Sequence, residues 1–246
     1  LGFGQMMQAD KALLPDDHHD SVEQILKGGW HLLDLINDVL DLARIEERRL
    51  QVNIEPVELA GLLQECCVLV EPTSRARDIV MSVDPIASVL TVHADPRRLK
   101  QVVLNLLSNA IKYNRTGGSV RVVCAVNSGS ESVRVSIADT GIGIPQDRLP
   151  QMFEAFNRLG QERGHVQGAG IGLVITKGLV EAMHGTVGVR SMEGEGSTVW
   201  FELPLASSEP TLVQRVLDAV VPAITMPDAG HARAWTVLYV EDNGVN

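Results

Sequence analysis

Asp139 closes an alternating apolar stretch, Val133, Val135 and Ile137, and is followed by Gly141, Gly143, Ile144 and Pro145. A second glycine cluster, Gly168, Gly170 and Gly172, opens an amphipathic stretch. An acid followed by glycines lets backbone approach a ligand where no side chain would fit. Glycines at a helix start offer unpaired N–H groups and a positive dipole end to phosphate. Upstream, Asn105, Asn109 and Lys112 are spaced four and three apart, which places them along one helix face. Two amides and an ammonium on a buried face are costly unless something polar meets them. Mg²⁺ between an amide oxygen and phosphate oxygens would suit, because a hard cation takes oxygen ligands and keeps its waters. Lys112 would add a point charge for phosphate. Each feature alone has a plainer reading, as turns before a helix or as a solvated helical stripe. Together they favour a nucleotide pocket.

The elements that must position these residues are readable from periodicity. Residues 51–54 alternate as a short strand, and 58–70 place Leu59, Leu62, Leu63, Cys66 and Val70 on one helical face. Residues 79–83 and 89–93 read as strands. Asp95 and Pro96 mark a helix start, the acid as N-cap and the proline at the first helical position. That helix runs to about Tyr113, with Leu99, Val102, Val103, Leu106 and Ala110 on its buried side. Strands at 120–126 and 133–137 flank a hairpin loop at 127–130. A helix from Gly172 to about His184 precedes strands at 187–192 and 198–205, joined by a glycine turn. The expected fold class is α+β, a two-layer α/β sandwich of mixed sheet and helices.

Ahead of this layer the pattern is helical. Residues 1–8 have helical apolar spacing, 14–17 read as a break, and Ile25, Leu32, Ile36, Val39 and Ala43 step at three, four and seven from there on. Leu26, Leu33 and Leu40 widen the stripe. An antiparallel hairpin this thin exposes so wide a stripe, so a homodimer pairing two hairpins into a four-helix bundle is expected. Packing of the hairpin on its own globular domain is the alternative. His18 and His19 are read into a polar loop and His31 onto a solvated face, with no catalytic role.

With 246 residues, 45% of them hydrophobic, the chain suits one to two domains with a core built from aliphatic side chains, since aromatics make up only 4%. A net charge of -10 argues against nucleic acid as a partner. Three cysteines, Cys66, Cys67 and Cys124, lack metal-ligand spacing and suit a reducing, cytoplasmic setting. No run is apolar enough to span a bilayer, so membrane attachment is expected only through segments outside this sequence.

These residues resemble the ATP-binding domain of sensor histidine kinases, within the Bergerat-fold ATPases. NLLSNAIKY looks like the N box, DTGIGIP the G1 box, MFEAFNRL the F box, GAGIGL the G2 box and GEGSTVWFELP the last glycine box. The resemblance implies ATP and Mg²⁺ as cofactors. It implies that Asp139 accepts the adenine amino proton, Asn109 ligates the metal, and Lys112 and Tyr113 reach the phosphates and sugar. Gly141, Gly143 and Ile144 would line the base. Gly168, Gly170, Ile171, Gly172 and Leu173 would close on the phosphates, and Thr198 would back Asp139. Residues 158–167 would form a lid, with Arg158 stabilising the γ-phosphate. Asn105, Lys112 and Arg158 are the implied catalytic set. Asn105 stands where ATP-hydrolysing relatives of this fold carry Glu, and an amide is no general base at neutral pH. This favours a kinase whose nucleophile is an imidazole supplied from elsewhere.

The implied organisation is a dimerisation hairpin at 1–50, an ATP-binding domain at 51–206, a linker at 207–234 and the start of a receiver domain at 235–246, where Glu241 and Asp242 end an apolar strand. The linker is set off by Pro210, Pro222 and Pro227. The phosphoacceptor histidine is expected upstream of Leu1, and a receiver domain, in cis or trans, takes the phosphoryl group onward. A frayed tail is the other reading of the last residues. The rival functions are an ATP-hydrolysing ATPase of the same fold and a catalytically silent nucleotide-binding dimerisation module.

Overall fold

A computed structural model describes residues 1–9, 16–47, 49–86, 90–127, 129, 131–157 and 170–206. The chain forms two compact units, Leu1–Leu50 and Gln51–Asn246. The expected linker, receiver start, lid, Arg158 and Gly168 lie outside the described residues.

The first unit holds α1 (Gly2–Ala9) and α2 (Asp16–Glu46). The two helices meet where Gly4 faces Leu26 and Gly29 faces Leu1. Val22, Leu26 and Leu42 are buried, whereas Ile25 is 69%, Leu32 59%, Ile36 49% and Val39 49% exposed. His18 and His19 belong to α2, not to a loop.

In the second unit β1 (Glu55–Glu58) pairs antiparallel with β3 (Thr91–Ala94) as a separate small sheet. Residues 51–54 are not a strand: the Asn53 N–H donates to the Asp95 carboxylate at 2.9 Å instead of to a ladder. The five-stranded sheet runs β2 (Val80–Val83), β4 (Ser119–Asn127), β5 (Ser132–Asp139), β7 (Gly196–Pro204), β6 (Thr186–Met192). β2 joins β4 in parallel, and the other pairs are antiparallel. Three helices contact this sheet: α3 (Leu59–Arg75), α4 (Pro96–Lys112) and α5 (Gly172–Ala182). Alternation along the strands sends Val120, Val122, Val133, Val135, Ile137, Phe201 and Leu203 into the core, and Leu59, Leu63, Leu99, Leu107 and Leu179 of the helices are buried as well. The layered architecture is the expected α+β sandwich. Among the described residues no helix is long and apolar enough to cross a membrane.

Both α3 and α4 start at a carboxylate. Glu58 accepts from the Gly61 N–H, and Asp95 Oδ1 accepts from Arg97 and Arg98 at 3.0 and 3.1 Å. Asp95 Oδ2 takes the Asn53 N–H, so one side chain caps α4 and ties down the chain entering β1. Such a cap contributes about 1 kcal/mol. At the other end of α4, the Arg77 guanidinium donates to the Ile111 and Lys112 carbonyls at 3.1 and 2.7 Å. This satisfies last-turn acceptors that the helix cannot pair itself.

Candidate nucleotide site

Asp139 ends β5 and is half-buried. Its Oδ1 accepts the Gly141 N–H at 2.8 Å and the Ser197 N–H at 3.3 Å. Burial pushes its carboxyl above the usual carboxylate range, and these two donors only partly oppose the rise. With Oδ1 held by backbone, Oδ2 is fixed in direction and suited to accept from an exocyclic amine.

The turn after Asp139 is pinned on both sides. Ile142 N–H donates to the Tyr113 carbonyl at 3.1 Å, and the Ile142 carbonyl accepts the Gly194 N–H at 2.8 Å. Gly143 has φ of +67°, and a Cβ there would run into the Met192 carbonyl. Glycine is required at this point by both conformation and space. Ile144 is half-buried and donates its N–H to Ser191 Oγ at 2.8 Å.

α4 brings its amides to α5. Asn105 Nδ2 donates to Thr176 Oγ1 at 2.7 Å, and Thr176 is fully buried. Asn109 Nδ2 leans on Asn105 Oδ1 at 3.5 Å. A Cβ on Gly172 would lie 2.5 Å from Asn105 Oδ1, so the helix pair closes only over glycine. The Asn105 amide is thus engaged at both ends and has no free basic function. The arrangement leaves Asn109 its carbonyl oxygen as a ligand for a hard cation. Among the described residues no three His, Cys, Asp or Glu gather to hold a metal. The amide oxygen of Asn109 is a donor that would suit a Mg²⁺ carried by phosphate oxygens. Lys112 places its ammonium 5.2 Å from the Tyr113 ring centroid.

α5 begins at Gly172 with Ile171 as N-cap and no capping side chain, unlike α3 and α4. A helix N-terminus left without a side-chain cap is suited to an anion. Ile171 is buried, Leu173 is half-buried, and Gly170 has φ of +72°. The Gly170 carbonyl accepts the Phe156 N–H at 3.1 Å, with Phe156 itself at φ of +63°.

The expected pocket residues Asn105, Asn109, Lys112, Tyr113, Asp139, Gly141, Gly143 and Ile144 thus meet where the C-terminal half of α4 adjoins the end of β5, and Gly172 opens α5 beside Asn105. Thr198 is the correction. It pairs with Ala138, and strand alternation turns it to the sheet face opposite Asp139. Ser197, one residue earlier, pairs with Asp139 and gives it the N–H. Thr176, Ser191 and Ser197 escape a reading by motif. Only their hydrogen-bond partners, distant in sequence, reveal them. Burial pushes the Cys66 thiol up to about 11 and the Cys124 thiol up to about 12, and raises that of Cys67, which disfavours their thiolates at neutral pH.

Residues 94–207 match the family described as histidine kinase-, DNA gyrase B- and HSP90-like ATPases. The chain is 38% identical over 212 residues to the sensor histidine kinase GacS of Pseudomonas protegens, covering 83% of this chain and 23% of that protein. It is 36% identical over 253 residues to the sensor histidine kinase AruS of Pseudomonas aeruginosa, covering 100% of this chain and 24% of that protein. Among solved structures, full-length ShkA in complex with AMPPNP superposes with a TM-score of 0.68 at 34% identity, over 83% of this chain and 42% of that one. The chain thus spans about a quarter of the length of these curated relatives. Residues 94–207 thus form a domain of the histidine kinase-, DNA gyrase B- and HSP90-like ATPases, and over most of its length the chain is similar to the catalytic portion of sensor histidine kinases.

Proposed function

We propose that this chain binds Mg-ATP and acts as the catalytic part of a two-component histidine kinase, passing the γ-phosphate to a histidine on the dimerisation helices of the parent protein. The carrying observation is the Asp139 carboxylate, held at Oδ1 by two backbone N–H groups and so committed to accept from an adenine amine at Oδ2. Guanine offers an acceptor at the matching position and is refused. Asn109 holds the metal, with Asn105 and Thr176 orienting its amide. A metal held there would neutralise phosphate charge. Lys112 and the uncapped start of α5 face the developing charge of phosphoryl transfer, and the sequence resemblance adds Arg158. Asn105 supplies no base, which disfavours hydrolysis by activated water.

The same reading gives the rest of the assembly. The exposed stripe of α2, Ile25, Leu32, Ile36 and Val39, pairs with a second copy to form a four-helix bundle. A receiver-domain aspartate accepts the phosphoryl group next. The work is done in the cytosol, consistent with three free cysteines.

Labelled γ-phosphate transfer in the full-length parent kinase tests the function. Acid-labile label on a histidine is the expected result. Release of free phosphate with no labelled protein would make the chain a hydrolase. Nucleotide binding with neither outcome would make it a silent module.

A further inference from the structure

We infer that Ser191, on β6, is a positioning residue for adenine recognition: its hydroxyl locks the turn after Asp139 to the start of β7, which supplies the second donor to Asp139. This rests on the reading of Asp139 as the adenine acceptor.

A serine hydroxyl has one proton and two lone pairs. Ser191 Oγ donates to the Gly196 carbonyl at 3.0 Å and accepts the Ile144 N–H at 2.8 Å. Its third contact is Ser197 Oγ at 2.8 Å. Because the Ser191 proton is spent on Gly196, the Ser197 hydroxyl must be the donor in that contact. All three capacities of Ser191 are then filled, one by the turn after Asp139 and two by the first residues of β7. Ser197 is the residue whose backbone N–H reaches Asp139 Oδ1. The circuit runs from Ile144 through Ser191 to Ser197 and back to Asp139.

The turn after Asp139 and the β6–β7 turn also touch through backbone alone, at Gly194 N–H to the Ile142 carbonyl. That bond fixes their separation. Ser191 adds a side-chain tie, because it grips Gly196 and Ser197 at the start of β7 and Ile144 on the turn after β5. Without the hydroxyl, the Ile144 N–H loses its partner in a half-buried site, and Ser197 Oγ–H loses its acceptor. The Asp139 carboxylate then keeps Gly141 as donor but is free to swing away from Ser197.

The test is calorimetric titration of the chain and its variants with ADP and with GDP. In Ser191→Ala, ADP affinity is expected to fall about tenfold or more, the cost of leaving buried polar groups unpaired. The preference for ADP over GDP should narrow with it. A serine that serves only the fold would lower Tm and leave that preference intact. Ser191→Thr, which restores the hydroxyl, should recover ADP binding, and Ser191→Cys, which fills the space with a poor acceptor, should not. If the alanine variant does not fold, the cysteine variant is read in its place. Parent-like ADP affinity and preference in the alanine or cysteine variant would overturn the inference while leaving the nucleotide site standing. A parent chain that binds no ADP would overturn both.

Discussion

Replacing Asp139 by Asn separates the recognition of adenine from the stability of the fold. In the parent, Oδ1 accepts from Gly141 and Ser197, and Oδ2 is left for the ligand. The introduced amide would keep its oxygen towards those two donors, since the opposite flip sets an NH₂ against two N–H groups. The NH₂ then occupies the place of Oδ2 and meets the adenine amine donor to donor. Loss of one partner from a buried hydrogen bond costs about 1–3 kcal/mol. A loss of about 2 kcal/mol is about a 30-fold fall in ADP affinity. The folded protein should not suffer. Burial raises the carboxyl above its ordinary value, so the native state binds this proton more tightly than the unfolded chain does. Ionising Asp139 therefore costs stability as pH rises from the unfolded value through the native one, and the Asn side chain removes that cost. Thermal melts at neutral pH should show a Tm no lower than the parent's, while calorimetry shows the loss of ADP. ADP affinity of the parent should fall as pH drops through the raised carboxyl pKa, and Asp139→Asn should lose that pH dependence. Parent-like ADP affinity in Asp139→Asn would refute the adenine role. A large fall in Tm would refute the separation from stability.

Three further outcomes are expected. In Asn109→Ala, magnesium titrations should no longer change ATP affinity appreciably; an unaltered magnesium response places the metal elsewhere. Asp95→Ala should lower unfolding free energy in urea by about 1–2 kcal/mol through loss of the α4 cap. Burial tends to raise the Asp95 carboxyl, but the Asn53, Arg98 and Arg97 N–H groups and the Arg98 charge outweigh it and hold it below the usual range. Its contribution is thus present above the unfolded pKa and lost as pH falls through the lowered native one. A parent and a variant that share one acid-denaturation profile would contradict this. Ile36→Glu should convert a dimer to a monomer in light scattering while ADP binding persists, because it sets two desolvated carboxylates in one seam; a monomeric parent, or a variant still dimeric, means that the stripe is covered in some other way.

What could be read ahead of the structure was what is encoded locally. Asp95 and Pro96 announce the start of α4 because capping is a contact within three residues, and the helix begins there. The acid and glycines of the turn after β5 are legible for the same reason. The errors arise where a distant partner decides. Val52 and Ile54 alternate like a strand, yet the Asn53 amide is claimed by Asp95, 42 residues away. Pro56, which has no N–H to give, sits in the two-stranded sheet, where an edge tolerates it. Thr198 and Ser197 cannot be told apart until the register with β5 is known, since a one-residue difference turns the side chain to the other face. Asn105 is visible as an amide on a helix face, but its engagement with Thr176 depends on how α5 crosses α4.

The central claim is that the Asp139 carboxylate selects adenine. Titration of the chain with ADP and with GDP, magnesium present in both, tests it most directly. The account predicts one ADP bound per chain and GDP weaker by at least about tenfold, the value of one mispaired buried hydrogen bond. Equal affinity for the two, or no binding of ADP, would contradict it.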